Sequence, residues 1–290
     1  MWRGPPGRPG AASVCLRPLL AAEPRPARVI GVSAAALYLA VARAGDPVPI
    51  VAVVSADGIR LPNSVVVASR AASRPFEGVR QGQSAMVGAG GVRIGEWGVR
   101  VARWWAPRPT RRPVQSHLLR TGLVALTAER PFGLVPASVT DRLDRLAAAL
   151  RAHDLPLALA WARALVGLGP GLTPAGDDAL AGLVLALGSF AWPDTELVAR
   201  FGRQITAYAV GRTTALSAAL LGHAAAGQAA DEVVDVLDAL AGRRPARPAV
   251  ERLLRVGHTS GSCLATGLAA GAAVVLAWSA ESAGSPESVG

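Results

Sequence analysis

The sequence predicts an α+β protein, with a β-rich, barrel- or sandwich-like N-terminal domain followed by an all-helical C-terminal domain. Three observations carry this. Short β-branched runs separated by turn residues fill the first half. Apolar residues recur at helical spacing from about residue 137 onward. The longest apolar runs, Ala179–Trp192 and Leu264–Trp278, each follow a glycine-rich polar loop. These boundaries predict residues 1–27 as a disordered leader, 28–136 as the β-rich domain, 137–280 as the helical domain and 281–290 as a disordered tail.

In the first half, Val48–Ser55, Ser64–Ser69, Val92–Ile94 and Trp97–Trp104 read as strands. Asp57-Gly58 and Gly90-Gly91 are turn signals between them. Val29–Ala42 fits a strand or a short helix equally. The leader is rich in Pro, Arg, Gly and Ala and lacks the apolar core of a signal peptide. Ala106–Pro113, with three prolines, reads as an extended connector. A helix is expected over Ser116–Thr127, then a loop through Pro131-Phe132-Gly133.

In the second half, Ser138–Asp141 resembles a capping box, with Leu143, Leu146 and Leu150 continuing at helical spacing. Pro156 opens the next helix at its first turn. Further helices are expected near Asp177–Phe190, Asp194–Val210, Thr213–Ala226, Ala229–Ala241, Pro248–Val256 and Ser260–Ala280.

Composition narrows the function. The chain has 290 residues, 51% of them hydrophobic, enough for a sizeable core. Mean hydropathy is +0.34, yet both apolar runs fall short of the roughly 18 to 20 residues that cross a bilayer. They read as buried helices, so no membrane partner is expected. The net charge of +10 comes entirely from arginine. The arginines are scattered without aromatic interleaving, which argues against nucleic acid and fits anionic small molecules or protein subunits. Two distant cysteines, Cys15 and Cys263, make neither a disulfide framework nor a zinc pattern, and they suit a reducing cytoplasm.

Three segments carry candidate chemistry. In Gly167–Asp178 (GLGPGLTPAGDD), Gly169, Gly171, Thr173 and Gly176 are expected to present N–H and hydroxyl groups to a small anion. Asp177 and Asp178 are expected to bind Mg²⁺ or an amine-type donor. The plain alternative is a helix–helix connection in which a glycine caps one helix and Asp177 the next. In Gly257–Ser262, His258 is an acid/base candidate, and Thr259, Ser260 and Gly261 precede the last apolar helix. Thr259 or Ser260 as an ordinary N-cap explains this segment equally. In Gly211–Thr214, Arg212 is a candidate anion clamp and Thr213 a natural N-cap. If the two apolar helices lie side by side in parallel, both positive ends point to one place.

The loop at 167–178 and Gly-His-Thr-Ser-Gly at 257–261 resemble a bacterial family of which one member is a subunit of oxamate carbamoyltransferase in anaerobic allantoin degradation. Thr-Thr-Ala-Leu-Ser at 213–217 is similar too, and Leu61-Pro62-Asn63-Ser64 fits more loosely. Ala175 and Cys263 depart from the family pattern, which has a Ser and an acidic residue there. The resemblance implies a multi-subunit enzyme that moves a carbamoyl group between phosphate and oxamate. Thr173, Gly176 and Ser260 would then hold phosphate, Asp177 and Asp178 would bind Mg²⁺ or the carbamoyl amine, and His258 would act on the leaving group. Two other functions compete: a non-catalytic structural or regulatory subunit, and a Mg²⁺-dependent hydrolase built on the Asp pair.

Overall fold

The computed structural model describes residues 7–42, 48–129, 134–190 and 195–284. They form two compact units that divide at Arg108/Pro109. The fold class is the expected one. The division precedes the helix Ser116–Ala128, which therefore belongs to the helical unit and not to the β-rich domain expected to run to 136.

The first unit is a closed eight-stranded barrel: β1 Arg8–Ser13, β2 Arg25–Val32, β3 Ala36–Val41, β4 Ile50–Val54, β5 Ser64–Val67, β6 Ser84–Gly88, β7 Gly91–Ile94 and β8 Trp97–Trp105. Their order around the barrel is β1-β5-β4-β3-β2-β6-β7-β8. Closure leaves no edge strand to aggregate. Leu37, Leu39, Val51, Val53, Val65, Val67, Val87 and Val92 fill the interior. The apolar run at 29–42 is two strands, β2 and β3, paired antiparallel. The β6–β7 hairpin turns on Ala89 (φ 46°) and Gly90 (φ 84°). That positive-φ pair is the turn whose twist matches paired strands.

The expected leader is corrected by this barrel. β1 pairs antiparallel with β5 and parallel with β8, and so closes the sheet. The helix α1, Arg17–Leu20, follows it. Leu16 and Leu20 are buried in the barrel core. Proline and arginine content misleads here because Pro9 and Arg8 sit at an exposed strand start, where a missing N–H and a charge are tolerated. Residues 1–6 lie outside the described residues.

The helical unit comprises α2 Ser116–Ala128, α3 Ala137–Arg151, α4 Leu155–Leu165, α5 Ala175–Phe190, α6 Thr195–Ala209, α7 Ala215–Ala225, α8 Asp231–Leu240, α9 Ala246–Leu254 and α10 Ser260–Gly284. The capping box at Ser138 does not form: α3 starts one residue earlier with Pro136 at its N-cap. The loop expected at Pro131–Gly133 and the end of the apolar run at Ala191–Trp192 lie outside the described residues. The connector carries a buried ion pair, Arg112 Nε donating to Asp238 of α8.

At the centre of this unit α5 packs against α10. Glycine makes the approach possible. A Cβ on Gly182 would stand 2.3 Å from the Leu264 carbonyl oxygen, and one on Gly267 2.0 Å from that of Ala179. Gly267 meets Ala179 and, four residues on in both helices, Gly271 meets Leu183, so the two run parallel. α10 is longer than the sequence suggested. Ser260–Glu281 reaches the length and hydropathy of a membrane span, but most of it is buried inside the unit, as in a core helix. The helix also takes up the start of the expected tail, whose residues 285–290 lie outside the described residues.

Candidate functional site

The parallel packing brings the N-termini of α5 and α10 together, and with them the two glycine-rich loops. Thr173 Oγ1 lies 3.1 Å from Ser260 Oγ. Beneath this pair sits Asp178 in the first turn of α5, 8% exposed. The hydroxyls of Ser260 and Thr173 lie beside its carboxyl, while its Oδ2 is buried with no partner. Burial pushes the Asp178 carboxyl up to about 7, and the neighbouring Asp177 charge adds to the rise against the pull of the two hydroxyls. Cys263, fully buried on the first turn of α10, is pushed up to about 12 by burial and by the Asp178 charge.

Asp177 has a different environment, although it is the next residue. It is 2% exposed. Its Oδ1 accepts from the Gly167 N–H at 2.9 Å. Its Oδ2 accepts from Ser217 Oγ at 2.9 Å and from Thr213 Oγ1. Three donors thus converge on one carboxylate and tie the end of α4, the start of α5 and the start of α7 together. Sequence reasoning gives Ser217 no role, although it lies four residues after Thr213, one helical turn on. Asp177 is not the N-cap of α5, which already begins at Ala175.

The loop glycines answer to geometry. The Gly176 N–H donates to the Leu168 carbonyl at 2.9 Å, and a Cβ there would stand 2.1 Å from the Leu165 carbonyl oxygen. Gly261 has the same reason at the other loop, with its Cβ position 2.1 Å from the Leu253 carbonyl oxygen and its N–H donating to Val256. The N–H groups of Asp177 and Asp178 donate to the Pro174 carbonyl. Of the groups expected to cradle an anion, the Gly176 N–H is therefore spent within the chain. Gly169 and Gly171 lie on the exposed part of the loop. Thr214 donates from its Oγ1 to the Leu172 carbonyl, and it, rather than Thr213, caps α7.

The remaining candidates have other surroundings. Arg212 is exposed, lies over the Tyr208 ring at 4.4 Å and donates to the Tyr208 carbonyl. Its side chain is engaged on the end of its own helix. His258 is exposed on the turn before α10. Thr259 supplies the carbonyl that accepts from the Cys263 N–H.

The expected Mg²⁺ meets a poor donor set. Three donors already occupy the Asp177 carboxylate, one on Oδ1 and two on Oδ2, which leaves it about one lone pair for a cation. Among the described residues no group of three or more His, Cys, Asp or Glu is placed to hold a metal ion.

No solved structure matches the chain. Residues 165–272 match the family described as oxamate carbamoyltransferase subunit AllH. The matched span runs from the end of α4 into α10 and contains both loops and the Asp177 and Asp178 clusters. Over residues 165–272, then, the chain carries the sequence pattern of the oxamate carbamoyltransferase subunit AllH family, the family that its two loops resemble.

Proposed function

We propose that this chain is a cytoplasmic subunit of a carbamoyltransferase-type complex, and that Asp178, Thr173 and Ser260 hold a small carbamoyl- or carboxylate-bearing ligand where α5 and α10 begin. The family match supports the reaction class. The observation that carries the site is the unpartnered, buried Oδ2 of Asp178. A buried acceptor without a donor costs about 1 to 3 kcal/mol, and more when charged. A ligand –NH₂ removes that cost.

Carbamoyl transfer moves a –CO–NH₂ group. The amide protons suit the Asp178 carboxylate, and the hydroxyls of Thr173 and Ser260 suit a phosphate or carboxylate oxygen. The two hydroxyls hydrogen-bond each other, so a ligand separates them on entering. The positive ends of two parallel helices favour an anion there even with their first N–H groups engaged. A carboxyl that titrates at about 7 is suited to passing a proton near neutral pH.

A second reading has its own support. The three donors on Asp177 and the internally satisfied N–H groups of both loops also describe a rigid, non-catalytic subunit that shapes a partner's site. Mg²⁺-dependent hydrolysis would rest on the Asp178 carboxylate and the lone pair that three donors leave on Asp177.

Thermal unfolding of the chain with carbamoyl phosphate, oxamate or phosphate, each with and without Mg²⁺, tests these readings. A ligand at 100 times its Kd adds about 2.7 kcal/mol. The site predicts a rise in Tm with carbamoyl phosphate or oxamate that disappears in Asp178→Ala and Thr173→Val. The rigid-subunit reading predicts no rise, and normal turnover of the reconstituted complex with Asp178→Ala.

A further inference from the structure

The barrel carries a hollow of 490 Å³ on the surface of β5, β1 and β8, among whose lining residues are Gly10, Val66, Arg60, Arg103, Trp104 and Trp105. We propose that it is a binding site for a small planar carboxylate. Nothing in the carbamoyltransferase reading uses it, and all of its lining residues belong to the barrel unit.

The hollow follows from strand register. β1 pairs with β8 through Gly10↔Val101 and then Ala11↔Arg103, with Ala102 as the extra residue of a bulge. Without the bulge Arg103 would share a face with Val99 and Val101, which pack against the barrel core. The bulge re-aims it to the outer face, beside Ala11 and the Val66 paired with Ala11. Re-aiming a side chain is the usual consequence of such a bulge. Trp105, two residues on, shares that face. The floor includes Ala11, whose small side chain leaves space between larger walls.

The chemistry of the walls selects the ligand. No acidic side chain lines the hollow. Arg60 and Arg103 are exposed, and among the described residues neither has an ion-pair partner. Guanidinium groups recognise carboxylates by paired N–H donors. The indole Nε1–H of Trp105, a residue that lines the hollow, is buried without an acceptor. Two indoles and Val66 supply apolar area for a flat ring. The volume lies within the range of small-molecule sites, about 300 to 1,000 Å³.

Isothermal titration calorimetry of the full chain with indole-3-carboxylate, and with uncharged indole-3-carboxamide, tests this. The carboxylate is expected to bind at least tenfold more tightly than the amide. Arg103→Gln and Arg60→Gln, both at exposed positions and checked for fold by circular dichroism, are expected to weaken it by tenfold or more each. Asp178→Asn is expected to leave it unchanged, which separates this site from the one where α5 and α10 meet. Equal affinity for carboxylate and amide, undiminished binding in both arginine variants, loss of binding in Asp178→Asn, or no heat with the carboxylate at millimolar concentration would each overturn the proposal.

Discussion

Asp177 and Asp178 are neighbours in the chain, yet one carboxylate holds three donors and the other keeps a buried oxygen with none. The helix turns by about 100° per residue, so the first faces α7 and the end of α4 while the second faces α10. The pair therefore divides into a structural clamp and a candidate ligand group.

The clamp makes Asp177 a stability residue. Asp177→Ala leaves the Gly167 N–H and the Thr213 and Ser217 hydroxyls without their acceptor. Hydrogen bonds to a charged group contribute about 1.5 to 3 kcal/mol each, and the hydroxyls can find other partners. The expected loss is on the order of 3 kcal/mol, read as a lower midpoint in urea unfolding. A midpoint equal to wild type would remove the clamp from the account.

Asp178 predicts a pH dependence. Its folded carboxyl titrates at about 7, above the ~3.9 of an unfolded Asp. Between these values the folded chain binds more protons, so this group's contribution is complete below about pH 4 and is lost as pH rises through 7. Asp178→Asn removes the charged form. The variant is expected to gain stability over wild type as pH rises, on the order of a few kcal/mol by pH 8, with the difference vanishing near pH 4. Parallel urea titrations at pH 4, 6 and 8 measure it.

The α5–α10 contact predicts opposite effects for two glycines on one helix. Gly182→Ala places a methyl group against the Leu264 carbonyl, 2.3 Å from its oxygen, and is expected to cost about 1 to 3 kcal/mol or more by overpacking. Gly188→Ala, with nothing within 4 Å of its Cβ position, is expected to add about 0.5 to 1 kcal/mol by its helix propensity. Thermal unfolding of both variants gives the comparison.

The Arg112–Asp238 pair is buried on both sides, with side-chain exposures of 9% and 11%. Arg112→Ala leaves Asp238 without that cation and is expected to destabilise the helical unit by about 3 to 5 kcal/mol. The double variant Arg112→Met/Asp238→Leu is expected to recover most of this, since the desolvation of both charges is removed as well. Unfolding of the single and double variants decides it.

Much of the site was legible because its signals are local. A loop dense in glycine and proline before a long apolar helix marks Gly167–Asp178, and a second loop marks Gly257–Ser262. Their meeting was conditional on parallel helices, and glycine at 182 and 267 is what permits it. Local signals misplace the caps: Thr213, Thr214 and Asp177 are all suitable residues, and only the positions of α4 and α7 decide which atom each one bonds. Loop glycines read as ligand cradles can equally answer a nearby carbonyl, as Gly176 and Gly261 do, and nothing in the chain order reveals that carbonyl.

The sequence by itself determined the fold class, nearly every helix, half of the strands and the two loops, since periodicity and turn chemistry act over a few residues. The tertiary structure alone decided that residues 8–13 close the barrel, that the run at 29–42 is a hairpin, and that Asp177 and Asp178 differ in their surroundings. Each of these depends on partners that the fold brings from tens of residues away: the edge β1 fills between β5 and β8, the strands that flank β2 and β3, and the hydroxyls of Thr213, Ser217 and Ser260.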